Sequence, residues 1–296
     1  MSILRYAHLD VFTHGLGGGN HLGVVAGAEG WSAEAMQHFA RWNNLVETTF
    51  LLPPEDSAAS YRVRIFTPTR EIPFAGHPSV GSAHIALEWG LAQPVDGELV
   101  QQCALGLLPI KLQHRDGHRQ LLLKAPPATE VTGHQPLPTE LQLALAGIRG
   151  GRLAPALVDG GRRWWLVECA SEAELRQWQP DHRAIRALAE VSQSMGICAF
   201  ARTPESRGGH QLAVRAFAAG AGIQEDPASG AANGVLAWYL RHAEPEGTLA
   251  HGYRVSQGRE IGHDAALQVV IADDGIWVGG ATRTVIEGQL HWPLPA

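Results

Sequence analysis

The sequence predicts an α/β protein built as two similar halves, and three observations carry that prediction. Strand-like and helix-like stretches alternate through both halves. Two short motifs recur in the same order. The 296 residues, 45% of them apolar, are enough to give two medium domains a core each.

In the first half, Ala7 to Phe12 reads as a strand, followed by a glycine-rich turn from Gly15 to Asn20 and an extended run from Leu22 to Val25. Ser32 is placed to cap a helix reaching Trp42, with Met36, Phe39 and Ala40 on one face and Asn43-Asn44 as its stop. Leu45 to Leu52, ended by Pro53-Pro54, and Tyr61 to Phe66 read as strands. Pro78 opens a helix to about Trp89, stopped by Gly90. Three short strands fill Glu98 to Lys124, and Ala125 to Ala128 reads as a linker. The second half repeats the order. A strand from Arg163 to Glu168 precedes a capping box, Ser171 with Glu174, and a helix from Arg183 to Val191. Gly196 to Ala201 and Leu212 to Phe217 are extended, and Asp226-Pro227 opens a helix to about Arg241. Strands follow at Tyr253 to Ser256, Leu267 to Ile271 and Ile276 to Val278.

The repeat lies in two segments. Val63-Arg64-Ile65-Phe66 matches Val214-Arg215-Ala216-Phe217 at an offset of 151 (214 less 63). His77 to Ala83 matches Asp226 to Ala232 at 149 (226 less 77), so a two-residue gap is expected between them. In this alignment each half supplies a helix start with proline in the first turn, His77 and Asp226 in the cap position, and a glycine nearby, Gly81 and Gly230. Such starts suit an anion, because their N–H groups are unpaired and the helix dipole is positive there. The other reading is that these glycines serve close helix packing.

Glu47 is the main chemical candidate. It stands in a run that is apolar on both sides, where a carboxylate would be poorly solvated and suited to proton transfer near neutrality. The alternatives are an edge-strand glutamate in solvent or an ion pair with Arg62 or Arg64. Other chemistries fit badly. Gly15 to Asn20 lacks the last glycine of a dinucleotide loop and the lysine of a phosphate loop. There is no G-x-S-x-G elbow and no H-E-x-x-H. His114 and His118 flank the hairpin turn Asp116-Gly117 and read as surface residues, and His84 reads as packing. Lys111 and Lys124 are the two lysines, and neither lies near the cleft motifs, which argues against pyridoxal. Cys103, Cys169 and Cys198 are far apart in apolar stretches and read as buried free thiols. The net charge of -6 argues against nucleic acid as partner, and no run is long and apolar enough for a membrane span or a signal peptide, which makes the cytoplasm the expected location.

The residues Asp10-Val11-Phe12-Thr13, Gly19-Asn20, Asn44-Leu45-Val46-Glu47-Thr48-Thr49-Phe50, Phe66-Thr67-Pro68, Pro73 to Pro78 and Gly222 to Gly230 together resemble the PhzF-like phenazine-biosynthesis family over nearly the whole chain. The resemblance implies the α+β fold of diaminopimelate epimerase. Two pseudo-symmetric domains each wrap a barrel-like sheet around a central helix, with the site in the cleft between them. The expected division is 1–125 with about 281–296, carrying Glu47 and His77, and 126–280, carrying Asp226. It further implies a cofactor-free isomerase, a homodimer, acting on a small carboxylate-bearing substrate. Glu47, His77 and Asp226 match the catalytic positions, and Asn20, Gly76, Gly230 and Ala231 the substrate-binding ones. The epimerase relatives use two cysteines, and none of the three here falls on a helix start. The chain departs from the family at Val46 and Ala231, where serines are usual, and at His21, where proline is usual, so two pocket hydroxyls are missing. The competing reading is a non-catalytic small-molecule-binding protein that kept the cleft.

Overall fold

The protein is described by a computed structural model covering residues 4–115, 117–131, 137–203 and 209–292. The chain divides into two compact units, residues 1–124 with 279–296, and residues 125–278.

In the first unit the elements are β1 (Leu4–Val11), β2 (Asn20–Ala26), α1 (Ala33–Asn43), β3 (Thr48–Leu52), β4 (Tyr61–Phe66), β5 (Glu71–Ile72), α2 (Gly76–Glu88), β6 (Glu98–Cys103), β7 (Gly106–Arg115) and β8 (His118–Lys124). The long strand β16 (Gly275–Leu290) supplies the rest of the unit from Gly279 onward. The order β1-β2-β3-β4-β6-β7-β8-β16, with β16 pairing back onto β1, closes an eight-stranded ring. Closure leaves the ring without a free edge. Its core is α2, whose residues from His77 to Ala86 are all buried. An exposed helix keeps one polar face, but α2 has none. Its polar side chains bond inward instead: Ser79 donates to the Ala75 carbonyl (2.9 Å) and Ser82 to Thr49 Oγ1 (2.9 Å).

The second unit holds β9 (Thr129–Glu130), α3 (Thr139–Ala144), β10 (Ala156–Asp159), β11 (Arg163–Glu168), α4 (Glu172–Gln177), α5 (His182–Ser192), β12 (Ile197–Arg202), β13 (Leu212–Phe217), α6 (Gly230–Ala243), β14 (Gly252–Gln257), β15 (Ala265–Ala272) and the start of β16. Its strands pair in chain order from β9 to β16. The senses of pairing repeat those of the first unit. β1/β2 and β10/β11 are antiparallel, β2/β3 and β11/β12 parallel, β3/β4 and β12/β13 antiparallel, β4/β6 and β13/β14 parallel. Each parallel step requires a crossover, and helices supply it: α1 and α2 in one unit, α4–α5 and α6 in the other. The caps follow the sequence where it was explicit. Ser32 caps α1 and Ser171 caps α4, and Asp181, which was not anticipated, caps α5, each accepting a backbone N–H.

Several expectations are corrected. Glu47 lies just ahead of its strand, because β3 begins at Thr48, and Val46 is exposed. His77 and Asp226 are not helix caps. Ala75 caps α2, so His77 is its second residue and Pro78 its third; Ser229 caps α6, and Asp226 lies outside it. Gly81 is the sixth residue of α2, where a Cβ would stand 2.5 Å from Leu22 Cδ2 and 3.0 Å from Val11 Cγ2. It serves close packing of helix on strand, the second of the two readings given above. Cys169 and Cys198 are buried free thiols, with Cys169 pushed up to about 12 by burial, but Cys103 is half-buried. β9, α3, β10 and most of β16 were not anticipated. Asp116 of the expected turn lies outside the described residues; Arg115 and His118 are paired, and His114 and His118 are exposed. Among the described residues, no helix is long and apolar enough to cross a membrane.

The repeat is real but differently registered. Arg64 and Arg215 keep the offset of 151, and each guanidinium lies over a ring two residues on, Phe66 at 5.3 Å and Phe217 at 5.0 Å. Each also holds a glutamate through both Nε and Nη2. Arg64 grips Glu71 (2.8 and 2.7 Å) and Arg215 grips Glu225 (2.9 and 2.8 Å). From these glutamates onward the offset is 154 (225 less 71, and 230 less 76 at the helix starts). The three extra residues fall before Glu225, where the second unit has a short 3-10 turn, Ala219–Ala221. The counterpart of Asp226 is therefore Ile72, and both pair back onto the preceding strand, at Ala216 and Ile65. The counterpart of His77 is Ala231.

Candidate active site

Asp10 sets the entry to the first unit's polar cluster. Its carboxylate accepts three backbone N–H groups from the glycine-rich turn, Gly17 (2.7 Å) and Gly18 (3.2 Å) on Oδ2 and Gly19 (2.6 Å) on Oδ1. The glycine-rich turn is folded around the Asp10 side chain. A Cβ on Gly19 would lie 2.1 Å from the Val11 carbonyl oxygen and 2.6 Å from Asp10 Oδ1, so no other residue fits there without moving backbone. Gly19→Ala is expected to lower unfolding free energy by about 1–3 kcal/mol in urea denaturation, the usual size of an overpacking penalty. An unchanged midpoint would show that the turn can relax. Phe12, between Asp10 and the turn, is held at φ 64°, a strained setting for a bulky side chain.

The turn delivers Asn20 to the start of β2, where it is buried. Asn20 Nδ2 lies 3.4 Å from His77 Nδ1, and His77 Nε2 donates to the His21 carbonyl at 3.3 Å. A carbonyl only accepts, so Nε2 carries the proton and Nδ1 accepts from Asn20. The imidazole is neutral at pH 7, because burial lowers its pKa to about 3 against the opposing bond to the His21 carbonyl. Glu47 Oε2 lies 3.3 Å from the same Nε2, and its side chain is 12% exposed. Glu47 is placed by the turn leaving α1. Asn44 takes the left-handed conformation, and Asn43 bridges Tyr6 OH (3.1 Å) and Thr48 Oγ1 (2.9 Å). The salt-bridge partners of Arg62 and Arg64 are Glu55 and Glu71, so neither alternative ion pair for Glu47 forms. Sequence reading brought Glu47, His77 and Asn20 forward. It missed Asn43, Tyr6 and the His21 carbonyl, although the Asn43-Asn44 doublet was a signal for a tight, side-chain-braced turn.

In the second unit, Asp226 N donates to the Ala216 carbonyl (2.8 Å), and its Oδ1 accepts from Ala228 N (3.2 Å). Gln257, fully buried in β14, holds this loop to the start of α6. Its Nε2 donates to the Asp226 carbonyl (2.7 Å), and its Oε1 accepts from Asn233 Nδ2 (3.0 Å). Arg215 and Glu225 anchor the other side, with side chains only 4% and 5% exposed. Arg215 Nη1 also donates to the Leu175 and Trp178 carbonyls (3.0 and 2.5 Å) at the end of α4. Gly230 and Ala231 are the first two residues of α6, as Gly76 and His77 are of α2.

A family model described as phenazine biosynthesis-like protein, PhzC-PhzF, matches residues 9–289. The trans-2,3-dihydro-3-hydroxyanthranilate isomerase of Pseudomonas aeruginosa is 33% identical over 266 residues, 89% of this chain and 88% of that protein. Antisense-enhancing sequence 1 of Schizosaccharomyces pombe is 27% identical over 293 residues, 96% of this chain and 97% of that one. The crystal structure of a PhzF-family phenazine biosynthesis protein from Bacillus anthracis superposes with a TM-score of 0.81 at 25% identity, covering 99% of this chain and all of the other.

Proposed function

Because the chain belongs to the PhzC-PhzF family of phenazine biosynthesis-like proteins, and is an isomerase of diaminopimelate epimerase-like α+β fold, we propose that it moves a proton between two carbons of a small carboxylate-bearing metabolite without a cofactor. The observation that supports this reading is the contact between Glu47 and a buried, neutral His77 at the start of the central helix. Glu47 takes the proton from one carbon and returns it to another, so the carboxylate ends as it began. His77 does not compete for that proton, since its free nitrogen is occupied by Asn20 and burial opposes its charging. Its ring packs 3.3 Å from the carboxylate and limits where it can turn. Backbone N–H groups at Gly76 suit the substrate carboxylate, being the unpaired donors of a helix start. Asp226, Gly230 and Ala231 are the second unit's candidates for substrate binding. Alanine at 231 offers no hydroxyl, which favours substrates that need no donor there.

Proton exchange tests the proposal. The protein is screened by thermal shift against cyclic and open-chain amino and hydroxy carboxylates, including trans-2,3-dihydro-3-hydroxyanthranilate, the compound named in the Pseudomonas aeruginosa relative's activity. The compound that stabilises most is then incubated with protein in D2O. Carbon-bound deuterium is expected to appear by mass spectrometry. A ligand that binds tightly and gains none would identify a binding protein instead.

A further inference from the structure

Beyond His77, at the other end of α2, the first unit has a polar cavity of about 250 Å³ that the proposed reaction does not use. One acid lines it among the described residues, Glu88, and its carboxylate is fully engaged. Thr284 Oγ1 donates to Oε2 (2.8 Å), while His84 Nε2 and Arg119 Nη2 lie 3.2 and 3.5 Å from Oε1. These contacts, led by His84, hold Glu88 down to about 2, so it is ionised. Arg119 Nη2 also donates to His84 Nδ1 (2.9 Å), which leaves the His84 proton on Nε2, facing Glu88.

What remains is a set of unspent donors. Arg119 Nε and Thr282 Oγ1 are buried with no hydrogen-bond partner. Both residues line the cavity, and Thr282 as a whole is 8% exposed. Buried donors are nearly always satisfied, so two orphans on one cavity point to something that fills it. Among the described residues, the Arg283 side chain, also in the lining, has one hydrogen bond, to the His14 carbonyl (3.3 Å), and no carboxylate partner. Arg119 and Glu88 offset one another in charge, so Arg283 leaves a net positive wall, with His14 and His118 beside it. The chain as a whole carries -6, so this concentration of cationic donors runs against its composition.

We propose that this cavity is a binding site for a phosphate group, free or on a small metabolite. The donor-bearing residues of the lining come from β8 (Arg119), from β16 (Thr282 and Arg283) and from the loop after β1 (Thr13 and His14). A tetrahedral group with three or four acceptor oxygens suits donors spread over several elements better than a planar carboxylate does. The site is separate from Glu47 and does not rest on the proposed isomerisation.

Thermal unfolding of the full chain tests it, with inorganic phosphate in one arm and glycerol phosphate in the other, at ionic strength held constant with chloride. At tenfold excess over Kd the melting temperature is expected to rise by about 3 °C, the shift linkage gives for a protein of this size. A larger rise with the ester identifies a phosphorylated metabolite, and a larger rise with phosphate identifies the free ion. Thr282→Val and Arg283→Gln should each weaken the effect at least about tenfold, while deuterium exchange at the Glu47 site continues at the wild-type rate. Phosphorus NMR line broadening reads binding directly in whichever variant folds. The proposal is overturned if chloride alone gives the same shift, or if both variants keep the phosphate response; either result would mean that water satisfies the two orphan donors.

Discussion

Glu47→Gln is expected to leave ligand binding near wild type and cut turnover by about two to four orders of magnitude, the usual span of a general acid–base contribution. Glutamine keeps the shape of the side chain and its place beside His77 Nε2, which lies 3.3 Å from the present carboxylate oxygen. It cannot take a proton from carbon at pH 7. Deuterium wash-in and turnover should therefore fall together while the thermal shift given by the ligand persists. His77→Gln should behave differently. It removes a ring that packs against Glu47 and leaves Asn20 Nδ2 without its ring acceptor, so turnover should drop less while the pH profile of the remaining activity shifts. Wild-type turnover in Glu47→Gln would end the assignment of Glu47 as the base.

The second large effect is one of stability. Glu225→Ala should cost about 3–5 kcal/mol in urea denaturation, because it leaves the Arg215 guanidinium buried without its bidentate carboxylate. Glu260 Oε2, at 3.9 Å from Arg215 Nε, is too distant to replace both bonds. The protein carries its own control. Arg64 and Glu71 form the same fork in the first unit with side chains 26% and 37% exposed, so Glu71→Ala should cost only about 0–1 kcal/mol. Replacing the whole buried pair, Arg215→Met with Glu225→Leu, should be milder than the single change, since no charge is stranded. Equal losses for Glu225→Ala and Glu71→Ala would mean that the Arg215 pair is hydrated after all.

Duplication was legible because Val-Arg-x-Phe recurs, and the structure explains why it does: the arginine clamps a glutamate and covers the phenylalanine ring. The register beyond it was not legible. Pro78 and Pro227 suggested an alignment, but proline fits any position whose N–H has no helical partner. One of these prolines is the third residue of a helix and the other precedes a cap, so shared proline carried no register. The insertion that corrects the offset is a three-residue 3-10 turn with no marker beyond small residues. Glu47 was found from its apolar neighbours, yet its position depends on Asn43 bracing Tyr6 and Thr48, a contact between strands that no local pattern encodes. The glycine-rich turn showed its type but not its purpose, because Asp10, which it encloses, is separated from it by a strand end.

The closing of the eight-stranded ring by β16 has a consequence for biosynthesis. Residues 125–278 form a contiguous unit and can complete their contacts as soon as they leave the ribosome. The unit begun first cannot. Its strands β1 to β8 are synthesised early, but the seam between β8 and β1 stays open until Gly279 to Leu290 arrives, more than a hundred residues later. During that interval β1 and β8 are unpaired edges, and α2, which is buried from His77 to Ala86 in the finished unit, lacks its full enclosure. Translation therefore starts the Glu47 unit first and finishes it last, with its vulnerability to misassociation lasting as long as synthesis of the second unit takes.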